Sequence, residues 1–132
     1  MPEIINDKIK EHHLGRKAIV YIRQSSEMQV HRHAESGRLQ YALTERARSL
    51  GWSNPIIIDE DLGKSAAYYS ERSGFQRLVT DVSIADVGIV LSLEATRLAR
   101  NNRDWYHLID LCTIFDTLIG DHQSIYDPKR PQ

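Results

Sequence analysis

Cysteine is nearly missing from this sequence. Cys112 stands alone, so no disulfide can form within the chain. Disulfides belong to oxidising compartments, and a cytoplasmic protein is the expectation that follows. Long hydrophobic runs are missing too. No stretch reaches the roughly 18 apolar residues that a membrane-spanning helix needs. The opening Met1-Pro2-Glu3-Ile4-Ile5-Asn6-Asp7-Lys8 mixes charges where a signal peptide would carry an apolar core. Neither sign of charge is in excess: 17 Lys and Arg meet 18 Asp and Glu, for a net charge of −1. Nucleic-acid-binding domains are usually basic. Either this chain does not hold DNA tightly by itself, or its basic groups are gathered on one face. Internal repeats and low-complexity segments are absent as well.

What is present suits one compact domain. The chain has 132 residues, 41% of them hydrophobic, enough to bury a core. Residues 1–15 read as a flexible, partly helical lead-in, 16–127 as the folded domain, and 128–132 as a tail closed by Pro128 and Pro131. Ala18-Ile19-Val20-Tyr21-Ile22, Pro55-Ile56-Ile57-Ile58, Gly88-Ile89-Val90-Leu91 and Thr117-Leu118-Ile119 read as strands, with Ile125-Tyr126 a short fifth. Leu39, Ala42, Leu43, Ala47 and Leu50 recur at helical spacing, and Gly51 stands where a helix C-cap belongs. Ser73-Gly74-Phe75-Gln76 has the form of a capping box, followed by an apolar face of Phe75, Leu78, Val79 and Val82. Trp105, Leu108, Ile109, Cys112 and Phe115 stripe a third helix. Strands alternating with helices predict an α/β fold: three layers, α/β/α, around a mostly parallel sheet of four to five strands. In such sheets the working site lies beyond the C-terminal ends of the strands.

The first strand runs directly into Arg23-Gln24-Ser25-Ser26. Side chains alternate along a strand, so Tyr21, Arg23 and Ser25 share one side wherever the strand persists. A guanidinium one repeat from a hydroxyl suits a serine that attacks a phosphodiester, because it can bind two phosphate oxygens through parallel hydrogen bonds. The plainer reading is a strand-end serine beside a solvent-facing arginine. The third strand is followed by Glu94-Ala95-Thr96-Arg97-Leu98-Ala99-Arg100-Asn101. On a helical turn Arg97 and Arg100 share a face, where like charges need solvent or an anion between them. Arg72 precedes the capped helix. These cations come from three separate strand-to-helix connections, which the expected fold brings to one sheet edge.

The strings Tyr21-Ile22-Arg23-Gln24-Ser25, Asp59-Glu60-Asp61-Leu62-Gly63-Lys64-Ser65, Arg72-Ser73-Gly74-Phe75 and Thr96-Arg97-Leu98-Ala99-Arg100-Asn101 carry a resemblance. In order and spacing they resemble the N-terminal catalytic domain of the resolvase/invertase family of serine recombinases, its large members above all, over roughly residues 17–127. The resemblance implies site-specific DNA recombination. Ser25 would be the nucleophile that joins a 5′ phosphate and leaves a free 3′ hydroxyl. Arg23, Arg72, Arg97 and Arg100 would hold the reacting phosphate, and no metal or other cofactor would be used. Tyr21, Gln40, Asp61, Ser65 and Thr96 would support the site. Double-stranded DNA is the implied partner, the full-length parent would be a dimer or tetramer, and no membrane is involved. The chain departs from the family's pattern at Thr96, where many small members carry an aspartate, and at Ala66, where a glycine is usual in the mobile loop. In the family a long oligomerisation helix follows this domain. The chain is expected to stop about where that helix begins, and so to be inactive as an isolated fragment.

Weaker signals stand beside these. His12-His13 and His31-x-His33 invite a metal, but no cysteine or second spaced pair accompanies them, so solvated loop histidines are expected. Asp59-Glu60-Asp61 could bind a divalent ion; a loop role is expected instead. Cys112 and Trp105 lie on the apolar stripe of their helix and are expected to pack. Two other functions compete with the recombinase: a catalytically silent recombinase fragment acting as an interaction module, and an unrelated metal-dependent phosphohydrolase on a similar sheet.

Overall fold

In a computed structural model of the chain, residues 8–22, 33–58, 73–92, 103–121 and 124–128 are described, the side chains at 33–36, 39, 73, 104 and 105 excepted. The strands are β1 (Lys17–Tyr21), β2 (Ile56–Ile58), β3 (Val87–Leu91), β4 (Leu118–Gly120) and β5 (Ile125–Tyr126). The helices are α1 (Glu11–Leu14), α2 (His33–Leu50), α3 (Ser73–Ser83) and α4 (Arg103–Phe115). The strands form one five-stranded sheet in the order β2-β1-β3-β4-β5. The first four run parallel and β5 returns antiparallel to β4. The α/β architecture is the one the alternating pattern predicts.

A parallel sheet covered on both faces needs strands that are apolar throughout, and the sequence supplies them. All five residues of β3 are buried, as are four of the five in β1. Two packed layers result. Ile19, Tyr21, Ile58, Val90 and Ile119 point toward Phe75, Leu78 and Val82 of α3 and Leu108 and Cys112 of α4. Ala18, Val20, Ile22, Ile89, Leu91 and Leu118 point toward Leu43, Ala47 and Leu50 of α2. Ala42, expected on that stripe, is exposed. The buried face of α2 is carried by 43, 47 and 50, and Ala42 sits about 100° round the helix from Leu43.

Two positions show how the chain bends to fit. Gly51 ends α2 at φ +123°, a conformation that costs glycine nothing, and its N–H bonds back to the carbonyls of Ala47 and Arg48. Gly88 marks an irregularity in β3: the partner of Lys17 is Val87, but that of Ala18 is Ile89. The extra residue reverses the parity of the strand. Val87 therefore faces α3 and α4 while Ile89, two residues on, faces α2.

Where the sequence reads as a lead-in, the described part is docked. α1 lies so close over β3 that a Cβ on Gly88 would stand 2.1 Å from the carbonyl oxygen of His13. That oxygen also accepts hydrogen bonds from the Arg16 N–H and the Trp52 indole N–H.

Candidate functional site

The segments that carry most of the expected site residues follow β1, β2 and β3 in the chain. The described chain leaves β1 at Ile22, β2 at Ile58 and β3 at Ser92, and resumes at α2, α3 and α4 respectively. Because the three strands are parallel, all three connections start from one edge, and each helix carries the chain back to the other edge. β1 lies between β2 and β3, so the three strands are neighbours in the sheet. Hydrogen bonds from Ile22 N to the Ile58 carbonyl (2.9 Å) and from Ser92 N to the Gly120 carbonyl (3.0 Å) hold this edge in register.

Arg23 and Ser25 fall in the segment after β1, Asp61, Ser65 and Arg72 in the segment after β2, and Thr96, Arg97 and Arg100 in the segment after β3. All eight lie outside the described residues. Arg72 immediately precedes Ser73, the first helical residue of α3. The other two expected residues are described. Tyr21 is fully buried at the end of β1, edge-on to Phe75 with ring centroids 6.0 Å apart. It faces the α3 and α4 layer. Gln40 lies half-buried on α2, about two turns from the start of that helix, and its carbonyl accepts the Thr44 hydroxyl at 2.6 Å. The Trp105 side chain lies outside the described set. Cys112 is fully buried between helix and sheet, and burial pushes its thiol up to about 12.

A second polar cluster, at the opposite edge, corrects an expectation. His13 is not a solvated loop histidine; it is 1% exposed. The backbone N–H of Lys10 donates to its Nδ1 at 2.9 Å, and its Nε2 lies 3.2 Å from Oδ1 of Asp116. His12, half exposed, meets the other carboxylate oxygen. Asp116 ends α4 in the left-handed conformation, φ 59°. The Arg16 guanidinium donates to the carbonyls of Phe115 (2.7 Å) and Asp116 (3.2 Å). Burial lowers the His13 pKa below its ordinary 6.5, against the opposing pull of Asp116. Nothing local in the sequence signals this cluster, whose members lie 103 residues apart.

Among the described residues, no helix is long and apolar enough to cross a membrane. A protein of Sinorhizobium fredii (strain NBRC 101917 / NGR234), named as the uncharacterized protein y4bA/y4pH, is 50% identical over 125 residues. Those residues are 92% of this chain, and the chain spans 18% of that relative's length. The family described as Resolvase, N terminal domain, matches residues 18–131. With a mostly parallel five-stranded α/β sheet and a match over most of its length, this chain belongs to the resolvase family through that N-terminal domain.

Proposed function

We propose that the chain is the catalytic domain of a serine recombinase, cleaving and rejoining double-stranded DNA through Ser25. The observation that carries this reading is that the family match spans all three connections holding Arg23, Ser25, Arg72, Arg97 and Arg100, on strands that end at one sheet edge. The Ser25 hydroxyl oxygen forms a bond to phosphorus as the bond to the 3′ oxygen breaks. The serine gives up its proton and the departing 3′ oxygen takes one. The 5′ phosphate stays on Ser25, so rejoining to a 3′ hydroxyl is the reverse step and needs no ATP. Negative charge builds on the pentavalent phosphate, and the four arginines supply fixed positive charge to it. Tyr21, buried against Phe75, holds the strand from which Arg23 and Ser25 continue. Gln40, Asp61 and Ser65 support the site. Thr96 brings no carboxylate, so any proton it helps to move passes through a hydroxyl. Assembly into dimers or tetramers, a cytoplasmic setting and the domain limits 16–127 belong to the same proposal.

The test is a covalent trap. The domain is joined to the remainder of a full-length relative and given a nicked DNA site from which the cleaved strand is lost. The expected result is protein-linked DNA whose modified peptide carries the phosphodiester on Ser25, and none with Ser25→Ala. A link at Ser26, or adduct persisting in Ser25→Ala, gives the reaction to another residue. No adduct in the unaltered protein favours the silent interaction module.

A further inference from the structure

The edge opposite the strand ends carries a cluster that DNA cleavage does not use. Both ring nitrogens of His13 are engaged, and the Lys10 contact fixes the tautomer. A nitrogen that accepts a hydrogen bond carries no hydrogen. In the neutral ring the hydrogen is therefore on Nε2 and is donated to Asp116. Two consequences follow. His12, His13 and Asp116 offer ligand atoms all within 4.8 Å of one another, a composition that suits a metal ion. An ion at His13 Nε2, however, would need the hydrogen moved to Nδ1, where it would oppose the Lys10 N–H; metal-bound histidines instead donate from their other nitrogen. A second proton on the ring meets the same obstacle. It can enter only at Nδ1, donor against donor, at a site 1% exposed to water.

Among the described residues, the turn that His13 closes is held to the rest of the fold by several groups. Its carbonyl accepts from Trp52 and Arg16 and rests over Gly88. Arg16 reaches the end of α4. Ile9 packs partly buried against the α2-side core, but His13 belongs to neither core cluster. The charged and titratable groups around His13 are Asp116 beyond α4, His12 on its own turn and Arg16 just after it. Gly88 of β3 and the Trp52 indole bring no charge. Asp116 favours a charged ring; His12 and Arg16 oppose it, and burial opposes it most.

We propose that His13 is the pin of a proton-operated clasp: the neutral ring holds residues 8–16 on the sheet, and one proton at Nδ1 frees that turn while the five-stranded sheet stays folded. The inference does not depend on the recombinase reading, and its test reads no activity.

Nuclear magnetic resonance of the 132-residue chain between pH 8 and pH 5 tests it. At pH 8 long-range proton–nitrogen spectra should show His13 with its hydrogen on Nε2; hydrogen on Nδ1 overturns the proposal. As the pH falls, exchange protection of the Leu14, Gly15 and Arg16 amides and the Trp52 indole should drop together, by about tenfold per pH unit for a one-proton opening. Amides of β1 and β3 should keep their protection. His13→Asn leaves an acceptor for the Lys10 N–H and cannot take the proton, so its turn should show no pH response. Asp116→Asn, tolerant of the left-handed backbone, still accepts from Nε2; without the carboxylate charge the drop in protection should begin at the same pH and run on to lower pH before levelling off. That second variant decides the matter where the first does not fold. Turn and sheet losing protection together, or a turn indifferent to pH in the unaltered chain, overturns the clasp. So does stoichiometric zinc binding at pH 8 that His13→Asn abolishes, which would make the cluster a metal site.

Discussion

Single residues here divide by what burial does to them. Cys112 is enclosed by the sheet and α4, and burial pushes its pKa up to about 12. It is therefore an inert core group. A thiol reagent at pH 8 should label it only after denaturant opens the chain; labelling of the native protein as fast as of the unfolded one would contradict this. The arginines of the proposed site are the opposite case, groups that work by keeping charge near a reacting phosphate. Arg97→Ala and Arg100→Ala should each slow strand cleavage by roughly 10² to 10³ in rate, the usual cost of one preorganised charged contact. Single-turnover cleavage with the fold checked by circular dichroism measures this. A loss well below tenfold at both would return them to solvated surface.

At the scale of elements, α1 and β3 depend on a residue that has no side chain. Gly88 reverses the parity of β3 and leaves room for the His13 carbonyl. Gly88→Ala puts a Cβ 2.1 Å from a backbone oxygen, which no rotamer change relieves. The turn must lift or the strand must shift. We expect a loss of about 1 to 3 kcal/mol, the common range for overpacking, read as a lower urea midpoint. Much of that loss should disappear in a chain lacking residues 1–15, where the opposing carbonyl is gone. An unchanged midpoint in the full chain would show that α1 does not rest on β3 as described.

Across the whole molecule, two groups shape stability against pH in opposite directions. The unfolded chain protonates His13 near 6.5, but burial keeps the folded ring neutral to lower pH. The unfolded state then binds more protons, so stability falls as pH drops below 6.5 and levels off below the folded value. Lys17 is the mirror case. A hydrogen bond to Asp86, aided by Asp81, raises its pKa above 10.5, so its contribution is complete below that value and is lost as pH rises through the folded one. Denaturant midpoints should therefore be flat between 6.5 and 10.5 and fall on either side. His13→Asn should remove the acid limb attributable to this site. Charge also bears on partners. With a net charge of −1, the chain has little counterion-release drive toward DNA. Its own affinity for duplex should be about 10⁻⁶ M or weaker at physiological salt; nanomolar, sequence-specific gel shifts would contradict this.

The sequence by itself determined what is local. Buried strands are contiguous apolar runs, and Ile125-Tyr126 was legible from two residues. Helix faces recur every three or four positions, and Gly51 and Ser73 mark helix ends because termini need particular backbone and capping chemistry. The proposed site was read from local signals too: its arginines and serine stand in short strings beside strand ends, and their mutual placement lies outside the described residues. Only the tertiary structure put β1 between β2 and β3 as parallel neighbours, so that the three connections start side by side from one edge. It exposed Ala42 beside a buried Leu43, because which neighbour faces the sheet depends on how the helix is rolled against it. It made Val87 and Ile89 face opposite layers through one extra residue that no alternating pattern reveals. It also joined His13 to Asp116 across 103 residues. Periodicity is written by neighbours along the chain. A hydrogen bond between distant segments is written only by the packing that brings them together.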